Sequence, residues 1–351
     1  MSLNTSYLNK WISNKHWISG LTAVMVITAV LSCANGVRAQ QKARLYVAVL
    51  QTNNFVVGRS TFPSGLFSYD QDTTWTHYGW SKNRLNGMSY DPANPDYMFM
   101  ACGNGAFRTT DGGKNWKRTT GWSITEVEDV SMNPFRPNDV YIATAYGVWK
   151  TNNQGASWDS ASVGLDSTFV QTIQVDQQNG SYILVGGQGG IYRSTNGAKS
   201  WEHVGPVGVP VRDIQQNKSQ PDLWMAGTAK HGVLISRDAG KSWHFARGSV
   251  KKETIYAVAT DPNNPNHMAA AGFETGVYIS RNGGKSWSRH TKGLPTRNFH
   301  ALIFDPQVKG KLWTGTYDHG VYVTTNEGKS WTYKGLAMSQ VWDMVFVSKS
   351  R

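Results

Sequence analysis

The chain has 351 residues, 39% hydrophobic and 17% charged, with 36 glycines, 15 tryptophans and 15 tyrosines. That length allows one large domain or two small ones, and glycines and aromatics with so few charges argue against a helical or disordered chain. The formal charge of +12 raises an acidic partner such as nucleic acid, which the placement of the charges then argues against.

Residues 1–39 read as an export signal. Lys10 and Lys15 make a basic start, "LTAVMVITAVLS" (21–32) is apolar but short for a bilayer span, and "VRA" (37–39) offers small residues before a cut after Ala39. "VLSC" (30–33) competes as a lipoprotein box with Cys33 as the lipidated residue, and a retained anchor is the third reading. Removing 1–39 takes away Lys10, Lys15 and Arg38 and no acid, lowering +12 to +9. The other cysteine is Cys102, so a chain beginning at Gln40 has no internal disulfide and depends on its core and topology.

From residue 43 onward one pattern recurs, Ser/Thr-x-Asp/Asn-x-Gly-x-x-Trp. It reads "TTDGGKNW" (109–116), "TNNQGASW" (151–158), "STNGAKSW" (194–201), "SRDAGKSW" (236–243), "SRNGGKSW" (280–287) and "TTNEGKSW" (324–331). A degenerate copy, "SYDQDTTW" (68–75), has Asp72 in the glycine place, and Ala198 is the other departure. The seven tryptophans fall 41 to 44 residues apart, a period that marks a repeat architecture. As a turn, the Asp or Asn accepts backbone N–H bonds, the glycine takes positive φ, and the tryptophan opens the next strand and buries its ring. A phosphate loop would need a helix after the glycines, and a strand follows instead.

Each unit reads as four strands. In one they are "IYAVATD" (255–261), "MAAAGF" (268–273), "GVYISR" (276–281) and "SWSRHT" (286–291), with a Pro/Asn turn "DPNNPN" (261–266) between the first two. The N-terminus supplies "RLYVAVL" (44–50), "GLFSYD" (65–70) and "TWTHYG" (74–79). The C-terminus supplies the missing inner strand, "VWDMVFV" (341–347). The expectation is an all-β, seven-bladed β-propeller over 43–351, with a composite blade joining the two ends and leaving no open sheet edge. These copies resemble Asp-box (BNR) repeats, found in sialidases, sortilin-type receptors, two-propeller xyloglucanases and the photosystem II assembly factor family. The resemblance implies the propeller and leaves the function open, because those families do unrelated jobs.

Lys114, Lys199, Lys241, Lys285 and Lys329 hold one place in five boxes. A spaced rim of lysines reads as solvation and edge protection, so no nucleic-acid partner is expected. The opposite face carries the other loops. Aligning the inner strands at their entry gives Asn86, Glu128, Gln171, Arg212, Tyr256, His300 and Trp342. The next position gives Gly87, Asp129, Thr172, Asp213, Ala257, Ala301 and Asp343, and then come apolar residues, Met88, Val130, Ile173, Ile214, Val258, Leu302 and Met344. The first set varies from blade to blade. That fits a mouth lined for a ligand, and it also fits a water-filled channel that tolerates any polar residue. The aspartates of the second set read most simply as partners of loop backbone.

Arg84, Glu126, Glu253, Arg297, His231, Glu274, Asp318 and His319 are expected on the same face, with Trp80, Trp122, Tyr146, Phe299 and Tyr317 and the long loop 51–64 as a flap. The function that follows is an exported, monomeric binding module for a glycan or protein, held by Asn86, Gln171, Arg212, Trp342, Asp343, Arg84 and Arg297. Membrane association arises only through a lipid on Cys33, and no metal or cofactor is expected. The alternative is a glycoside hydrolase or polysaccharide lyase drawing on His300, Tyr256, Glu128 and Asp213. A glycosidase needs two opposed carboxylates. A lyase needs a base, an acid and a charge neutraliser, for which His300, Tyr256 and Arg212 come from consecutive blades. A sialidase-like site is disfavoured, since the FRIP-type motif of that family is missing and seven blades are not its count.

Overall fold

The computed structural model describes residues 43–51, 64–69, 74–78 and 84–348. Residues 1–39, read as an export signal, with Cys33, residues 52–63 of the long loop, Asp72 and Trp80 lie outside the described residues. Seven four-stranded antiparallel sheets follow one another around a ring. Blade 1 is composite. Its inner strand is Ser339–Ser348, followed outward by Ala43–Gln51, Gly65–Tyr69 and Trp75–Tyr78. Blades 2 to 7 then run in chain order, with inner strands Leu85–Asp91, Val127–Met132, Val170–Val175, Val211–Gln216, Thr254–Asp261 and Phe299–Phe304.

The core lies between blades. The aliphatic and aromatic faces of neighbouring sheets form separate buried clusters, such as Leu223, Met225, Val258, Met268 and Trp287 between blades 5 and 6. Of the seven residues aligned as core, six are buried and Met88 is half-buried against the cluster of blades 1 and 2. Phe299, expected on the open face, is fully buried. Its place at a strand start, just ahead of the variable position, turns it into the sheet interface.

The boxes work as small hydrogen-bonded knots. In the blade 2 copy, Thr109 Oγ1 donates to Asp111 Oδ1 at 2.7 Å and accepts the Gly113 N–H at 3.1 Å. Asp111 Oδ1 also accepts the Asn115 N–H at 2.9 Å. These bonds hold the Asp111 carboxyl down at about 2. The same triangle recurs in blade 6 with Ser280, Asn282, Gly284 and Ser286. The tryptophan closes the knot one residue before the strand rather than inside it, except Trp75, which does start its strand. Three indoles, on Trp116, Trp243 and Trp287, donate back to the box glycine carbonyl.

Two successive residues of each intact box have positive φ. The second is glycine for a further reason, visible at Gly284: a Cβ there would collide with Ile235 Cδ1 of the preceding blade. Ala198 occupies this place with φ 58°, in the region where an L-residue is strained. Ala198→Gly should therefore raise unfolding stability by about 1 kcal/mol, while Gly284→Ala should lower it by about 2 kcal/mol. Urea melts of the two variants against the parent protein measure both.

Candidate functional site

Each inner strand carries a β-bulge at its entry. The ladder with the second strand skips one residue in every blade, between Leu85 and Gly87, Val127 and Asp129, Val170 and Thr172, Val211 and Asp213, Ile255 and Ala257, and Phe299 and Ala301. In blade 1 the break falls at Ala48/Val49, whose partners are Asp343 and Val341. The residues left over are Asn86, Glu128, Gln171, Arg212, Tyr256, His300 and Trp342, the seven variable positions. A bulge residue is released from the ladder and re-aimed. All seven line one cup at the mouth of the central channel, of about 700 Å³, together with Arg84, Glu126 and Phe169.

Within the cup these side chains are linked around most of the ring. The Tyr256 and His300 rings stack with centroids 4.9 Å apart and planes 5° apart. His300 stacks in turn on Trp342 at 4.5 Å. Guanidinium groups flank the two ends, Arg84 at 4.7 Å from the Trp342 ring and Arg212 at 5.9 Å from the Tyr256 ring. Arg212 also donates to Gln171 Oε1 at 2.9 Å. Arg84 donates to Asn86 Oδ1 at 2.7 Å and pairs with Glu128 at 3.3 Å. Tyr317 leans on His300 from the rim at 5.3 Å. Burial, and then the charge of Arg84, push His300 down to about 4, so it is neutral at neutral pH. Burial raises the Glu128 carboxyl, and Arg84 opposes that rise.

Below the cup lie Asp129, Asp213 and Asp343, on blades 3, 5 and 1. They bond inner-strand backbone of the next blade rather than loops. Asp129 Oδ2 accepts the Ile173 N–H at 2.9 Å, Asp213 Oδ2 the Val258 N–H at 2.8 Å, and Asp343 Oδ2 the Met88 N–H at 2.9 Å. Asp129 needs the glycine beside it, because a Cβ on Gly87 would stand 2.6 Å from its Oδ1. Burial drives Asp129 up to about 8, with Asp343 and Asp213 adding repulsion, and drives Asp213 and Asp343 to about 6.

Arg297 is not brought to the cup. It is exposed on the loop ahead of blade 7, where its carbonyl accepts the Gly276 N–H. Glu253 is taken up by Arg289 and Tyr278. The lower channel, with Gln215, Gln216, Lys218 and Phe346, was not anticipated. Its residues come from the far ends of inner strands and the turns beyond, where no shared pattern marks them. Among the described residues no group of three or more His, Cys, Asp or Glu could hold a metal ion.

The family model described as photosynthesis system II assembly factor YCF48 matches residues 106–313. No curated protein matches the sequence. Among solved structures, the GH74 enzyme of Niastella koreensis is similar with TM-score 0.66 and 16% identity, covering 80% of this chain and 50% of that one. The GH74 xyloglucanase of Xanthomonas campestris gives 0.63 and 16%, covering 81% and 51%. A structure of YCF48 bound to D1 peptide gives 0.55 and 17%, covering 71% and 81%. The chain thus spans about half the length of these GH74 enzymes. At such identities the likeness carries the BNR-repeat propeller fold alone.

The raised aspartates give a pH dependence. The folded state holds the Asp129 proton to about pH 8, while the unfolded state loses it near 3.8. The folded state therefore binds more protons, and stability falls as pH rises between those values. His300 acts in the opposite sense only below its ordinary 6.5. From pH 6.5 to 8 the melting temperature should fall, and Asp129→Asn should flatten that slope in thermal melts.

Proposed function

The chain belongs to the photosynthesis system II assembly factor YCF48 family, and from that membership we propose that it is a binding module that holds a segment of another protein in the cup. One observation carries this reading. The carboxyl groups in and below the cup are engaged, Asp129, Asp213 and Asp343 by backbone N–H groups, Glu128 by Arg84 and Glu126 by the Tyr146 hydroxyl. One guanidinium is less occupied: Arg212 Nε has no acceptor. The aromatic arc covers its own ring faces, since Tyr256, His300 and Trp342 stack on one another and end against guanidiniums. What remains for a ligand is ring edges, amides and cations, which suit carbonyl and carboxylate acceptors. A sugar would stack on open ring faces. A polypeptide segment, rich in carbonyls and carrying acidic side chains, fits better than a glycan. With this reading goes export through 1–39, by cleavage after Ala39 or by lipidation of Cys33.

A carbohydrate-active enzyme is the second reading, and the upward shift that burial gives Glu128 favours it, since that is the direction in which a general acid is tuned. Among the described residues of the cup no free carboxylate stands opposite it. Binding of a captured partner, measured by calorimetry, should weaken by about ten-fold or more in Arg212→Ala and in Trp342→Ala. Mass spectrometry of a neutral, sialylated and uronic-acid glycan panel incubated with the protein should show no new fragments. Fragments that vanish in Glu128→Gln would replace the binding reading with the enzymatic one.

A further inference from the structure

At three joints the fourth residue of a box meets an arginine of the blade before it. Where blade 7 follows blade 6 that residue is Glu327. Arg281 Nε donates to Glu327 Oε2 at 2.9 Å, and its Nη2 donates to the Glu327 carbonyl at 2.6 Å. Where blade 3 follows blade 2 it is Gln154, whose carbonyl and Oε1 accept from Arg108 at 2.8 and 3.4 Å. On blade 4 the arginine Arg193 is paired instead with Glu202 of its own outer strand.

The joint of blades 5 and 6 has neither carboxylate. Arg237 stands where blade 6 has Arg281, but the box residue facing it is Gly283, and His244 holds the place of Glu202. Arg237 donates to the Gly283 carbonyl at 2.5 Å, and no carboxylate meets its guanidinium among the described residues. A Cβ on Gly283 would stand 2.9 Å from Arg237 Nη2 and 3.1 Å from Asn266 Oδ1. The space that the Glu327 side chain fills at the next joint is therefore open here. Both blades lie wholly within residues 84–348, so both walls of this joint are described.

The opening continues into a groove of about 870 Å³ between the box of blade 6 and the outer strand of blade 5. Its lining carries three cations, Arg237, Lys285 and Arg247, against one carboxylate, Asp238. That carboxylate is already occupied. Its Oδ1 accepts the Ser236 hydroxyl at 2.7 Å and the Ser242 N–H at 2.9 Å, and its Oδ2 accepts the Ser242 hydroxyl at 2.6 Å. Lys285 follows Gly283 by two residues in the same turn. Two cations thus border the place where the next joint has a carboxylate, and a single carboxylate would balance only one of them. A phosphate monoester carries up to two negative charges and three free acceptor oxygens, which a guanidinium fork and an ammonium satisfy together. Phe245, 44% exposed on the same lining, offers its ring to whatever the phosphate is attached to.

We propose that the joint of blades 5 and 6 is a binding site for a phosphate monoester, with its phosphate on Arg237 and Lys285 and its body against Phe245. The site is separate from the cup and independent of what the cup holds. The probe is phenyl phosphate, titrated into the full chain by calorimetry at about 150 mM salt, which screens diffuse attraction to a basic protein. A ligand of that size should bind with a Kd of about 1 mM. Inorganic phosphate, which lacks the ring, should bind about five-fold more weakly. Arg237→Gln should weaken phenyl phosphate about ten-fold, and Lys285→Gln should act in the same direction. Gly283→Glu should abolish binding by restoring the carboxylate of the next joint, where Glu327 holds the same turn at φ 60°. Arg212→Ala, in the cup, should leave binding unchanged. Arg237 is exposed, so an unchanged melting temperature in Arg237→Gln keeps the test valid even where Gly283→Glu fails to fold. Absence of phenyl phosphate binding by the parent protein overturns the proposal. Undiminished binding by Arg237→Gln overturns it as well, and so does loss of binding in Arg212→Ala, which would assign the ligand to the cup. Equal affinity for inorganic phosphate overturns the role given to Phe245 and with it the monoester.

Discussion

The ring depends on one pair of strands. Ala43–Gln51 and Ser339–Ser348 come from opposite ends of the chain and pair antiparallel along their whole length. Every other blade is built from consecutive strands and can form locally. This one requires closing a loop of nearly the full chain, the entropic step that makes non-local pairing slow. Once formed, it places Ser339–Ser348 against the inner strands of both blade 7 and blade 2, so the last inter-blade cores close with it. No disulfide is available to substitute, since the one described cysteine, Cys102, is buried inside blade 2 and burial pushes its thiol up to about 12.

The closing strand also decides what the cup contains. Its register breaks at Trp342 as the other inner strands break at their own entries. If the pairing slipped by one residue, Trp342 would exchange faces with a core residue, because side chains alternate along a strand. The stack of Tyr256, His300 and Trp342 would then be lost. Closure, register and site are one constraint seen at three scales. The three aspartates under the cup act at the same level, each tying its own inner strand to the next blade's.

Most of the fold was legible in the sequence because its signal is repeated. Seven tryptophans at one period outweigh any ambiguity in a single strand, and the leftover strand at 341–347 has only one place to go. The mouth positions were legible for a related reason. Aligning copies separates the conserved apolar places from the variable one beside them. The bulge was not legible, because it is a property of pairing and leaves no residue type behind: the seven bulged residues share no chemistry. Nor was the mutual stacking, which depends on how neighbouring blades face each other. Phe299 and Arg297 were misplaced for the same reason. Both flank blade 7's entry, and only the turn of the backbone there decides that one enters the core while the other stays at the surface.

In a repeat protein the consensus builds the scaffold, so the departures from it carry the individuality of the molecule. They fall here into three groups with different physical costs. Variation at the bulge costs no ladder bonds, since those residues are already released from pairing with the second strand. The aspartates on blades 1, 3 and 5 cost desolvation, seen in their raised carboxyl pKa values, and offset it with backbone N–H bonds across the blade joints. The third is the degenerate box in the sequence of blade 1, with Asp72 in the place that glycine holds in most copies. At that joint nine paired residues hold the clasp from the inner side, so the closure of the ring rests on the strand pairing and not on the box.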